Sequence, residues 1–124
     1  MGDKRQMILK ITGETPSKKN SRINTRNGKS FPNQRYAKWE AEVVAQLMEQ
    51  VQPPKPIDCP VKLSVNFYHG DNVRRDSDNQ LSSILDALQK AAVLSDDRWQ
   101  IVQVINVRNF KADSSWCEIA ISGI

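Results

Sequence analysis

Hydrophobic and polar positions alternate or recur with clear periods in six places along the chain. Met7–Thr12 (MILKIT) alternates apolar and polar residues and predicts a strand. Val61–His69 (VKLSVNFYH) alternates more cleanly. Val61, Leu63, Val65 and Phe67 share one face, with Lys62, Ser64, Asn66 and Tyr68 on the other, as in a strand buried on one side. Two stretches carry the helical period instead. From about Gln34 to Gln50 the apolar stripe is Tyr36, Trp39, Val43 and Leu47. From about Asp78 to Ala92 it is Leu81, Ile84, Leu85 and Leu88, with Asp78 as the expected N-cap. Trp99–Asn109, rich in Ile and Val, and Ser115–Ser122 predict two further strands.

Between these elements lie the breakers. Gly13–Ser30 has few large apolar residues and reads as an exposed loop or a loose hairpin closed near Asn27-Gly28. Pro53, Pro54 and Pro56 end the first helix and form a stiff connector. The order is strand, hairpin, helix, strand, helix, strand, strand. It predicts an α+β fold, one small domain over residues 1–124 with two helices packed on a mixed sheet. Residues 1–6 form a tail and 13–32 a basic loop or hairpin.

Composition narrows the class. With 124 residues, 39% apolar, there is material for one modest core. No run approaches the roughly 20 apolar residues of a membrane span, and the polar start is not a signal peptide. Cys59 and Cys117 are too few for a disulfide scaffold or a metal knuckle and are expected to be reduced and partly buried. The expectation is a soluble, intracellular protein. His69, the only histidine, leaves little from which to build a His-based metal site or a catalytic triad, and is expected to be hydrogen-bonded or at the surface. Trp39, Trp99 and Trp116 fall in periodic segments and are expected in the core or in an interface between copies. Phe31 is expected in the core; its alternative use is as a wedge between unstacked bases.

The distribution of charge says more than its net of +4. Residues 1–38 hold ten Lys/Arg against two acids, whereas 39–124 hold eight bases against twelve acids. A basic first third suits a polyanion. Lys18, Lys19, Arg22, Arg26, Lys29 and Arg35 are interleaved with Asn, Ser and Thr, residues that grip phosphates without reading sequence.

The acidic remainder holds Arg74-Arg75-Asp76-Ser77-Asp78-Asn79, followed by Asp97. In an extended segment Asp76 and Asp78 point to one side. Asp78 also opens a helix, where an anion is favoured. That helix spans about 21 Å, so Asp97 reaches the pair only by returning along the strand that begins at Trp99, or across a dimer. Carboxylates gathered together repel one another, which a hard divalent cation such as Mg²⁺ or Mn²⁺ relieves. Such an ion activates water and neutralises charge on a phosphodiester, while Arg74 and Arg75 hold flanking phosphates. Without the metal, the same residues are a polar loop and a helix cap.

Four blocks in order resemble the RusA-type Holliday junction resolvases: Arg75-Asp76-Ser77-Asp78-Asn79, Leu85-Asp86-Ala87-Leu88, Lys90-Ala91-Ala92-Val93 and Asp96-Asp97. Pro16–Ser21 and Tyr36–Glu40 also resemble family segments, so the likeness covers roughly residues 7–122. The resemblance implies a RusA-like fold and a homodimeric, Mg²⁺-dependent endonuclease that nicks four-way DNA junctions in recombination and repair, in a bacterial or phage cytoplasm. Its acidic triad falls on Asp76, Asp78 and Asp97, with Asp96 the rival for the third place and Asp86 structural. One departure stands out. The family commonly carries a lysine four residues after the second aspartate, and here that residue is Ser82. Lys62, Arg74 or Lys90 then supplies the cation, or the protein binds branched DNA and cuts it weakly.

Overall fold

The computed structural model describes residues 6–17, 22–24, 30–32, 34–51 and 55–124, with 22–24 and 30–32 described by their backbone alone. The elements are β1 (Gln6–Thr12), β2 (Arg22–Asn24), β3 (Ser30–Pro32), α1 (Gln34–Gln50), β4 (Val61–His69), α2 (Ser77–Lys90), β5 (Val102–Lys111) and β6 (Trp116–Gly123). Four strands form one sheet in the order β1-β6-β4-β5, and β2 and β3 pair as a separate antiparallel hairpin. This is the α+β architecture the periodicities predict. The loop 25–29 that closes the hairpin, including Asn27-Gly28, lies outside the described residues, as does the side chain of Phe31.

β4 is the central strand because its alternation is the cleanest: Val61, Leu63, Val65 and Phe67 are all at most 3% exposed. It pairs antiparallel with β6 and parallel with β5. A parallel pair cannot be joined by a tight turn, and α2 is the crossover between them. Both helices cover one face of the sheet. Val43 and Leu47 of α1, with Ile84, Ala87 and Leu88 of α2, meet Leu9, Ile11, Cys117, Ile119 and Ile121 of the strands. Each such aliphatic burial stabilises by about 1.5–3 kcal/mol. The outer edge of β1 is closed by side chains of α1. Gln50 accepts the Lys10 N–H at 2.8 Å and donates to its carbonyl at 2.6 Å, while Gln46 accepts the Thr12 N–H at 3.0 Å. The two glutamines are one helical turn apart and so share a face, and they occupy an edge that would otherwise be open to another strand.

Two element starts and two burials differ from expectation. Helix α2 starts before Asp78: Asp76 is the N-cap, extended at φ −89° and ψ 125°, and its carbonyl accepts the Asn79 and Gln80 N–H groups. β5 begins at Val102 because the Arg98 carbonyl accepts both the Ile101 and Val102 N–H groups, turning Trp99 and Gln100 outward. Trp99 is 73% exposed and not in the core, and Cys59 is exposed rather than partly buried. Cys117 is buried, and burial pushes its thiol well above the ordinary range. No helix among the described residues is long and apolar enough to cross a membrane.

Candidate functional site

The end of β4 passes into the loop that carries the aspartates. Gly70 makes the exit: a Cβ there would lie 3.0 Å from the Ser114 Cα, and its N–H donates to Ser115 Oγ at 2.8 Å. Asp71 then folds the loop back, accepting the Val73 N–H at 3.1 Å and binding both terminal nitrogens of Arg75 at 2.6 and 3.0 Å. The bidentate guanidinium holds the Asp71 carboxyl down to about 2, and Asp71 in turn raises Arg75 above its usual value.

Beneath the loop sits Glu14, which the sequence shows only as one of two acids in a basic third. Its carboxylate accepts from Gln80 Nε2 at 2.8 Å, Ser115 Oγ at 3.0 Å and His69 Nδ1 at 3.0 Å, with Arg75 at 3.4 Å. The other ring nitrogen of His69 lies 2.8 Å from Asn109 Oδ1, and Asn109 Nδ2 donates to Ser77 Oγ at 2.9 Å. Helix α2 is fastened from below as well. Gln80 donates to the Thr15 carbonyl at 2.6 Å and Ser83 to the Pro16 carbonyl at 2.7 Å. These bonds lay segment 14–16 along the first turns of α2. Glu14, Gln80 and Asn109 had no signature in the sequence. The one available signal was that Gln80 stands one turn before Ile84 on the apolar side of α2, where the structure buries it at 1% exposure.

This scaffold holds its neighbours and leaves the aspartates alone. Asp76 and Asp78 are exposed, and neither carboxylate has a hydrogen-bond or ion-pair partner among the described residues. Both stand at the start of α2, where free N–H groups favour anionic ligands and substrate phosphates alike. Beside them opens a groove of about 380 Å³ whose lining includes Arg74, Arg75, Ser77, Phe110 and Lys111. Lys111 is a basic residue of the groove that the sequence did not single out.

Asp97 is elsewhere. Helix α2 runs back along the sheet, and the loop after it joins the opposite end: Leu94 bridges Ile57, and the Val61 N–H donates to the Ile101 carbonyl at 2.7 Å. Val61 is the first residue of β4 and His69 the last, so within one chain Asp97 and the Asp76–Asp78 pair are separated by the length of the sheet. Among the described residues no three His, Cys, Asp or Glu side chains are grouped to hold a metal. Asp96 accepts the Asp97 N–H at 2.8 Å and lies 3.5 Å from Arg98, which ties it into its own turn. The Asp97 carboxylate is exposed and has no partner among the described residues.

The remaining expected positions divide. Ser82 Oγ donates to the Asp78 carbonyl at 3.1 Å, the self-capping of a short hydroxyl. Lys90 pairs with Glu40 at 2.5 Å and lies 3.8 Å from Asp86 at the far end of α2, and Lys62 starts β4 at the far end of the sheet. Of the three candidate cations only Arg74 is at the acidic loop. Arg35 is exposed at the start of α1. Lys18, Lys19, Arg26 and Lys29 lie outside the described residues, as does the side chain of Arg22.

A family model described as Endodeoxyribonuclease RusA matches residues 13–122 of the chain. A curated relative, the crossover junction endodeoxyribonuclease RusA of Aquifex aeolicus (strain VF5), is 32% identical over 80 residues. Those residues are 64% of this chain and 63% of that relative's length.

Proposed function

The chain belongs to the RusA endodeoxyribonuclease family, and from that premise we propose that it is a Mg²⁺-dependent endonuclease that cuts four-way DNA junctions as a homodimer. The observation that carries the reading is the pair of carboxylates left, among the described residues, without side-chain partners beside a basic groove. The neighbouring donors converge on Glu14 and Asp71, and Asp76 and Asp78 remain available.

The donor set fits a hard cation: exposed carboxylate oxygens, no sulfur and no imidazole among the three acids. Asp76 and Asp78 would hold Mg²⁺ or Mn²⁺ together with Asp97 of a second copy, since Asp97 of the same chain stands at the other end of the sheet. A bound ion would polarise the scissile phosphate and lower the pKa of an attacking water. The chain's own residues do the rest. Arg74 holds the phosphate flank and is the cation that replaces the missing lysine. The bases of segment 18–35 and Arg75 grip the DNA backbone. Two symmetry-related sites suit a near-symmetric junction cut on opposed strands.

The test is junction cleavage in Mg²⁺ with Asp78→Asn. Loss of cutting by about a thousandfold or more, with junction binding retained, supports the enzyme. Ser82 favours one further reading, a branched-DNA binder that cuts weakly. Wild-type binding without cutting at any Mg²⁺ or Mn²⁺ concentration would establish that instead.

A further inference from the structure

The helices cover one face of the sheet, and among the described residues no element packs on the other. Register places Lys10, Glu118, Asn66 and Arg108 in one row across it, and Trp116, Tyr68 and Phe110 in the next. The three rings form a column. Tyr68 stacks on Trp116 with centroids 4.1 Å apart and planes 4° from parallel, and on Phe110 at 5.2 Å and 19°. Lys10 Nζ closes the Trp116 end, 5.7 Å from the ring. The Phe110 end is open: that ring is 42% exposed and also lines the groove beside Arg74 and Arg75.

Below the column the same face holds a polar hollow of about 190 Å³ lined by Lys62, Ser64, Asn66, Asn106 and Arg108. No acid lines it, and neither cation has a carboxylate partner among the described residues. Cross-strand aromatic packing accounts for the column as a sheet-stabilising device. It does not account for two unpaired cations and two amides gathered on the same face.

We propose that this face is a second DNA-binding surface, on which an unpaired base stacks against Phe110 and the adjoining phosphates lie over Arg108 and Lys62. The inference rests on the reading of the chain as a junction-acting protein. Arg108 and Phe110 are two apart on one strand face, a separation of roughly 6.7 Å, within reach of one nucleotide's phosphate and base. The column sets the Phe110 ring in place beforehand, so little side-chain freedom is lost when a base arrives. Position supports the route as well, because Phe110 stands where the groove beside the aspartates meets this face.

Binding of a labelled four-way junction and a labelled single strand, followed by anisotropy in EDTA over a range of salt, tests the surface. The double variant Lys62→Ala/Arg108→Ala alters two exposed side chains and leaves the core intact. It should lower the slope of log K against log salt for the single strand by about 1.4, two contacts at about 0.7 each. Phe110→Ala should weaken single-strand binding about 5- to 150-fold with the slope unchanged. Wild-type affinity and slope in both variants, with wild-type protein cutting junctions, would overturn the surface while leaving the nuclease reading standing. Conversion of either variant to monomer in sedimentation would overturn it in favour of a second copy. Wild-type protein that binds neither probe would remove the reading on which the proposal rests.

Discussion

Where β4 runs out, the polar side chains of His69, Arg75, Ser77, Gln80 and Ser115 converge on Glu14, Asp71 and Asn109. Where β5 begins, the holding is done by backbone hydrogen bonds and buried aliphatics: Val93, Leu94, Ile101 and Val102 are buried, and Ile57 closes over them. The first end aims a loop. The second presents a turn whose back is packed and whose front, with Asp97 and Trp99, faces outward. The contrast teaches that the three acids divide between a tuned end and a sturdy end, and among the described residues neither end groups three metal-ligating side chains. On the proposed reading a second copy brings the two ends together.

The sharpest way to break that comparison is a mixing experiment. Asp78→Asn and Asp97→Asn should each be inactive alone. In a mixed dimer with shared sites, one site inherits both defects and the other inherits neither. The mixture should therefore recover about a quarter of wild-type sites, half of the dimers being mixed, and should nick one strand of a junction. If each site draws all three acids from one chain, the mixture stays dead and the division between the two ends has no functional meaning.

Glu14→Ala probes the tuned end. It removes one of two acceptors of the buried Gln80 amide, which keeps the Thr15 carbonyl, and leaves Arg75 paired with Asp71 alone. Losing these bonds and that of Ser115 Oγ costs about 1–3 kcal/mol together, visible as a lowered urea midpoint. Cleavage should fall further than stability predicts, because Arg75 flanks Asp76 and loses part of its anchor. A loss of stability with no change in kcat would show that the network holds the fold without aiming the acids.

Ser82→Lys asks whether the tuned end lacks a cation. Ser82 is exposed and one turn from Asp78, so a lysine there shares its face. Because Arg74 is proposed to supply that charge already, turnover should not rise. A gain of about tenfold, about 1.4 kcal/mol in the transition state, would show that charge limits the rate and that Arg74 does not fill the role.

The elements were legible in the sequence wherever one period dominated. α1 and β4 lie where Tyr36–Leu47 and Val61–Phe67 put them, because each buries a single face. Asp76, Asp78 and Asp97 stood out in the sequence by motif and order, and the structure leaves all three exposed and, among the described residues, without side-chain partners. What could not be read was convergence. Glu14 meets Gln80 across 66 positions and Ser115 across 101, and no local pattern encodes such meetings. The outward swing of Trp99 was hidden for a related reason: two hydrogen bonds to one carbonyl decide it, and an aromatic in an Ile/Val-rich run reads as core. The column of Trp116, Tyr68 and Phe110 needed the strand register, which sets three distant rings in one row.

The smallest effect concerns the sturdy end. Helix α2 stops through Ala92, whose φ of 59° is left-handed, while the Ala91, Ala92 and Val93 N–H groups close on the Ala87, Gln89 and Leu88 carbonyls. That is the place in a helix stop that glycine usually takes, since a Cβ in the left-handed region costs about 1–2 kcal/mol. Glycine relieves the strain but gives the unfolded chain more freedom to lose, which takes back part of the gain. Ala92→Gly should therefore stabilise by about 1 kcal/mol, raising the melting temperature by roughly 4 °C. Junction cleavage should not change, because the turn bearing Asp97 is set by the Arg98 carbonyl and the buried residues behind it. A fall in melting temperature would mean that Ala92 is not left-handed in solution. A fall in cleavage at unchanged stability would mean that the stop of α2 also aims Asp97, and that the sturdy end is tuned after all.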